Sequence, residues 1–131
     1  MISLSHIYLN FKNLYFIVKM IEEHKFGSFI INGRQYLGDI KIVDTRVRHW
    51  EDREHHELKI KDIKEILEIN PEMIIIGTGN SGYLEVPSEL KDLIRMRRIN
   101  LIIDKNTNAI SQYNKALMQQ KKIGAIFHAT C

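Results

Sequence analysis

Gly77-Thr78-Gly79-Asn80-Ser81-Gly82 has the G-x-G-x-x-G spacing of a dinucleotide-binding loop. Glycines at that spacing let the backbone approach a pyrophosphate, and an acid ending the next strand takes a ribose hydroxyl. Asp104 stands where that acid would be. The third glycine must, however, lie in the opening turn of a helix, so that free N–H groups point at phosphate. Here Tyr83-Leu84-Glu85-Val86-Pro87 intervenes, and Pro87 favours a helix that starts later. The pattern therefore favours a tight turn of positive φ after a buried strand. No cofactor is expected.

Histidines and the lone thiol are the other reactive groups. His55 and His56, with His49 and His24, raise the question of a metal. Zinc needs ligands that converge in space, whereas adjacent residues of an extended segment point apart. No metal site is expected from them. His128 and Cys131 could form a thiol–imidazole pair. A structural histidine near the end of a strand is the preferred reading, so no residue is assigned a catalytic role. Trp50, beside Arg48 and His49, reads as a covering anchor rather than a ligand stacker.

The elements that must position these residues follow from local pattern. Asn32-Gly33 between two β-prone runs predicts a hairpin. Ile40–Val43 reads as a strand, residues 45–50 as another, and the polar residues 51–57 as a loop. Asp62 and Glu65 suggest a capping box, with Asp62 as N-cap. Its helix runs to about Ile69 and buries Ile60, Ile63, Ile66 and Leu67. Met73–Ile76 and Leu101–Ile103 read as central strands covered on both faces. A helix from Pro87-Ser88 buries Leu90, Leu93 and Ile94. Asn106 or Thr107 caps a further helix carrying Ala109, Ile110, Tyr113 and Leu117 on one face, with Asn114 placed to reach a loop. Ile123–Phe127 is the last strand. This alternation predicts an α/β fold with a mixed central sheet.

If the central strands run mostly parallel, the loops after Ile76 and Ile103 open on one edge, where ligands of open α/β sheets bind. That edge would gather Gly77, Thr78, Gly79, Asn80, Asp104 and Lys105, with His128 joining if the last strand runs the same way. We expect a small pocket there for an anionic or polar ligand, built on exposed N–H groups beside Lys105.

Composition bounds the rest. The 131 residues are 44% hydrophobic and 27% charged, with a net charge of +3. That suits one domain with a core and excludes a disordered chain. A single cysteine excludes a disulfide framework and a multi-cysteine zinc module. Lys12 and Lys19 are the charged residues before Met20, so the rest of the chain is nearly neutral. Lys91, Arg95, Arg97 and Arg98 suit a solvated helix end, and no nucleic-acid partner is expected. The first residues are apolar and aromatic, but their longest clean run, Leu14–Val18, falls far below the ~20 residues of a membrane span. No export-signal pattern is present, so a cytoplasmic location is expected. Residues 1–24 read as an N-terminal extension. Its residues 1–19 either lie upstream of a natural start at Met20 or are an amphipathic segment packing on the domain or a partner. Residues 25–131 read as the domain.

Over residues 25–131 a series of short motifs recurs in a telling order. It comprises Phe26-Gly27-Ser28, Gly33, Tyr36, Asp39-Ile40, Trp50, His56, Pro71-Glu72 and Ile74-Ile75-Ile76-Gly77-Thr78-Gly79. It ends with Ala109, Tyr113-Asn114 and Gly124-Ala125-Ile126-Phe127-His128-Ala129-Thr130-Cys131. In this order the chain resembles the Mth-domain family (domain of unknown function four-nine-eight). Asn106, where relatives usually have Thr, and Gln119-Gln120-Lys121-Lys122 depart from the pattern. The resemblance implies a three-layer α/β domain, with helices on one side of a mixed sheet and additional N-terminal β-hairpin structure on the other. It implies no agreed enzymatic activity. The family's eukaryotic members, an adipogenesis-associated protein and a mitochondrial complex I assembly factor among them, look like assembly or regulatory factors. The preferred function is thus a non-catalytic assembly, regulatory or protein-interaction factor with a protein partner or self-association. The alternative is a small-molecule or anion-binding protein, or an enzyme, using the Gly77–Gly82 loop.

Overall fold

The computed structural model describes residues 20–51 and 56–131. The expectations for residues 1–19 and for His55 lie outside the described residues. Asn32 and Gly33 both have positive φ (54° and 72°), the twist that a two-residue hairpin needs. They join β2 (Ser28–Ile31) to β3 (Arg34–Leu37), and β1 (Ile21–Lys25) pairs antiparallel on the other side of β2. This small sheet takes in residues 21–24, so the boundary drawn at residue 24 crosses a paired strand. The charged, weakly alternating Ile21-Glu22-Glu23-His24-Lys25 gives little strand signal by itself.

The larger sheet contains β4 (Ile40–Val43), β5 (Arg46–His49), β6 (Met73–Gly77), β7 (Asn100–Asp104) and β8 (Ile123–Phe127), in the order β5-β4-β8-β6-β7. Strands β7 and β8 run parallel to β6, whereas β4 is antiparallel to both β8 and β5. The sheet is mixed, as expected. Strand β7 lies at its edge rather than in its centre. Its apolar run is explained by α2 (Ser88–Met96) and α3 (Asn106–Met118), which both contact it.

Strand order also decides the layers. From β6 the chain crosses outward to β7 through α2, then back past β6 to β8 through α3. Parallel crossovers share one hand, so reversing direction moves the helix to the opposite face. One face accordingly packs Ile74, Ile76 and Ile126 against α2 and against α1 (Ile60–Glu68). The other packs Ile75, Ala125 and Phe127 against α3 and the small sheet. The expectation of helices on one side alone is therefore corrected, because α3 shares a layer with β1–β3.

Two local details differ from expectation. Lys59, not Asp62, is the N-cap of α1. Asp62 sits in the first turn, buried, and accepts the Lys59 N–H (2.8 Å) and the Trp50 indole N–H (3.2 Å). Glu65, expected to complete a capping box, instead pairs with Arg48 and Lys41. Ile60 is 50% exposed. It lines a shallow cleft of about 340 Å³ with Pro87 and Leu90, whereas Ile63 and Ile66 are fully buried.

Close approaches lock the layers. A Cβ on Gly124 would collide with Ile66 Cγ2, so α1 can sit on β8 only over a glycine. Asn114 clamps β1 to α3. It accepts the Ile21 N–H at 2.9 Å and donates to the Ile21 carbonyl at 3.0 Å, reaching a strand rather than a loop. Tyr113 meets Phe127 edge-on at 6.1 Å. Burial pushes its phenol well above the usual tyrosine range, and the Asp44 carboxylate adds to the effect. Among the described residues, no helix is long and apolar enough to cross a membrane.

Candidate functional site

Strands β6, β7 and β8 are parallel, so their loops leave one edge. Gly77 is in register with Asp104 on one side and with Phe127 on the other. The edge therefore brings together Gly77, Thr78, Gly79, Asn80, Asp104, Lys105 and His128. The direction of β8, which sequence left open, is what adds His128.

The loop's N–H groups, expected to face a ligand, are already bonded within the protein. The Thr78 N–H donates to the Asp104 carbonyl (2.9 Å) and the Asn80 N–H to the Thr130 carbonyl (2.7 Å). The Gly79 N–H donates to Asn106 Oδ1 (3.1 Å). Gly79 has φ +104°, and a Cβ on it would stand 2.5 Å from the Cys131 carbonyl carbon. Glycine is required there for both reasons. The third glycine, Gly82, lies beneath the aliphatic stem of Lys105. The turn reading of the motif thus has a structural account: the C-terminal segment fills the loop.

Asn106 is the hub of this edge. It was expected as a helix cap, but Lys105 occupies that position and Asn106 begins the helix proper. Its fully buried amide accepts from Gly79 and donates to the His128 carbonyl at 2.6 Å. His24 of β1 joins from above, with Nε2 2.5 Å from Asn80 Oδ1 and its ring stacked on Phe29 at 4.7 Å.

Asp39, read in the sequence only as part of the Asp39-Ile40 motif, belongs to this edge as well. Its Oδ1 accepts the Ala129 N–H (2.7 Å) and lies 3.0 Å from His128 Nδ1. A carboxylate there favours the tautomer with the proton on Nδ1 and the lone pair on Nε2. Thr130 Oγ1 is 3.3 Å from that Nε2. His128 is wholly buried, yet His56 meets it edge-on with ring centroids 5.2 Å apart. A donor atom each from His56, His128 and Cys131 lie within 4.8 Å of one another. In the sequence His128 and Cys131 suggest a thiol–imidazole couple and His56 groups with other histidines, but nothing in their spacing joins the three, and it is not that of a metal motif.

Exposed apolar residues lie on segments tied by backbone to this one or to its neighbours. Phe26 is 66%, Leu37 67% and Tyr83 62% exposed. Leu37 is in register with Ser28, and Gly27, next to Phe26, donates its N–H to the Ala129 carbonyl. The Tyr83 N–H donates to the Cys131 carbonyl at 2.9 Å. A separate cleft of about 420 Å³ lies beside Trp50, lined by Lys41, Arg48, His49, Glu51, Lys61, Asp62 and Glu65. Its central ionic groups pair with each other, Glu65 with both Lys41 and Arg48. The Arg95, Arg97 and Arg98 cluster is solvated at the end of α2.

Known proteins share this architecture. The conserved hypothetical protein PH1505 from Pyrococcus horikoshii OT3 is 27% identical, with a TM-score of 0.75 over 85% of this chain and 98% of that one. A protein named MT938 is 30% identical, with a TM-score of 0.71 over 86% of this chain and 98% of its own. A Mth938-like domain from Bordetella pertussis is 12% identical and shares the fold at a TM-score of 0.66, over 86% of this chain and 87% of that one. A family model described as "protein of unknown function (DUF498/DUF598)" matches residues 21–128, and the chain belongs to that family.

Proposed function

We propose that the domain is a non-catalytic interaction module, an assembly or regulatory factor of the cytoplasm. It docks a protein surface on the rim formed by Phe26, Leu37 and Tyr83. The observation that supports this is the exposure of three large apolar side chains, at 66%, 67% and 62%, on segments bonded to or in register with one another around residues 128–131. Monomeric proteins rarely gather such residues on one face without a partner. The near-neutral charge of the domain fits recognition by apolar contact rather than by long-range attraction. In this reading Gly77, Thr78, Gly79, Asn80, Asp104, Lys105 and His128 form the frame beneath the rim. A small anion at that loop would have to displace the bonds now made by Thr78, Gly79 and Asn80.

Native mass spectrometry of the chain isolated from its own host tests the reading. A co-purifying protein or a second copy is expected. The double variant Phe26→Ser/Leu37→Ser should release it while the melting temperature stays nearly unchanged, because both sites are exposed. A solitary chain that retains a small ligand and no protein would overturn the proposal.

A further inference from the structure

The convergence of His56, His128 and Cys131 carries an inference independent of the apolar rim. We propose that these residues form a zinc site, with His128 Nε2, a ring nitrogen of His56 and Cys131 Sγ as ligands. Three observations support it. The donor atoms lie within 4.8 Å of one another. Tetrahedral zinc with N and S ligands sets its donors about 3.3–3.6 Å apart. Closing the remaining gap takes side-chain rotation of roughly an ångström.

Asp39 gives the second observation. Metal-bound histidines almost always donate their other ring N–H to a carboxylate or carbonyl, which fixes the tautomer and raises ligand basicity. Asp39 Oδ1 stands 3.0 Å from His128 Nδ1, and its own position is held by the Ala129 N–H. With Nδ1 engaged by Asp39, Nε2 is the nitrogen of His128 left to bind a metal. The competing contact, Thr130 Oγ1 at 3.3 Å, is long, and Thr130 is partly exposed, so its hydroxyl can turn to water.

The third is the framework under the other ligands. The Glu85 N–H donates to the His56 carbonyl at 2.6 Å, and the Tyr83 N–H donates to the Cys131 carbonyl at 2.9 Å. One short segment, residues 83–85, thus holds both remaining ligands by their backbone. Two imidazoles and a thiolate suit zinc better than the oxygen-seeking calcium or magnesium. A bound ion would tie the connection between β5 and α1 to the C-terminal segment. Three protein ligands leave a fourth position for water or an incoming group.

The full chain, kept reduced, is titrated with Zn²⁺ against a chromophoric chelator, and with Co²⁺ as a spectroscopic stand-in. One equivalent per chain is expected, and the Co²⁺ form should show a thiolate-to-metal charge-transfer band in the near ultraviolet. Cys131→Ser should abolish that band and weaken Zn²⁺ at least tenfold. His56→Ala, at an exposed position, should weaken Zn²⁺ to a similar degree. Asp39→Asn should weaken Zn²⁺ about 10–100-fold while the band survives, with circular dichroism confirming the fold. Absence of the band in the unmodified chain, or equal Zn²⁺ affinity in the unmodified chain and Cys131→Ser, would overturn the site.

Discussion

Asn106 shows how much a single side chain can organise. Both ends of its buried amide are used, across 27 residues to Gly79 and 22 to His128. Removing it leaves a buried N–H and a buried carbonyl without these partners. Asn106→Ala should therefore destabilise the fold by about 2–4 kcal/mol, since each orphaned group costs roughly 1–3 kcal/mol. Urea unfolding with an unchanged slope would measure this, and a loss below about 0.5 kcal/mol would show that the bridge is dispensable. Residue type alone placed Asn106 at a helix start, because Asn favours such positions. Its partners were illegible, because they belong to other strands.

Elements illustrate the same division. The α1 stripe of Ile63, Ile66 and Leu67 was readable from its period, since every third or fourth residue returns to one face. The point where that stripe meets the sheet was not. Gly124 lies under Ile66 Cγ2, and a methyl group there would overlap it. Gly124→Ala should cost about 1–3 kcal/mol, the usual penalty for overpacking. Adding Ile66→Leu removes Cγ2 and should recover part of the loss, a coupling visible in a double-mutant cycle. Strictly additive losses would contradict the contact. Ile60 marks the limit of periodicity: it belongs to the stripe by spacing, but it is half-exposed on a cleft beside Pro87 and Leu90. Likewise β7 is apolar enough for a central strand, because helices cover both its faces, yet it sits at the edge.

At the scale of the molecule, the last strand in sequence is the middle strand in space. Strand β8 is hydrogen-bonded to β4 on one side and β6 on the other, with apolar layers above and below. Amides of β6 and β8 should exchange most slowly and those of the edge strands β3 and β5 fastest, because exchange follows local opening. Hydrogen exchange followed by NMR checks this, and β8 amides as labile as those of β5 would refute it. The sequence by itself determined the types of the elements other than β1, most of the buried faces, the hairpin turn, the α/β class and the family resemblance. These depend on periods and turn preferences that act over a few neighbouring residues. Only the tertiary structure decided the strand order, the face taken by α3, the filling of the glycine loop and the meeting of His56 with His128 and Cys131. Those outcomes depend on crossover direction and long-range register, which no local pattern encodes.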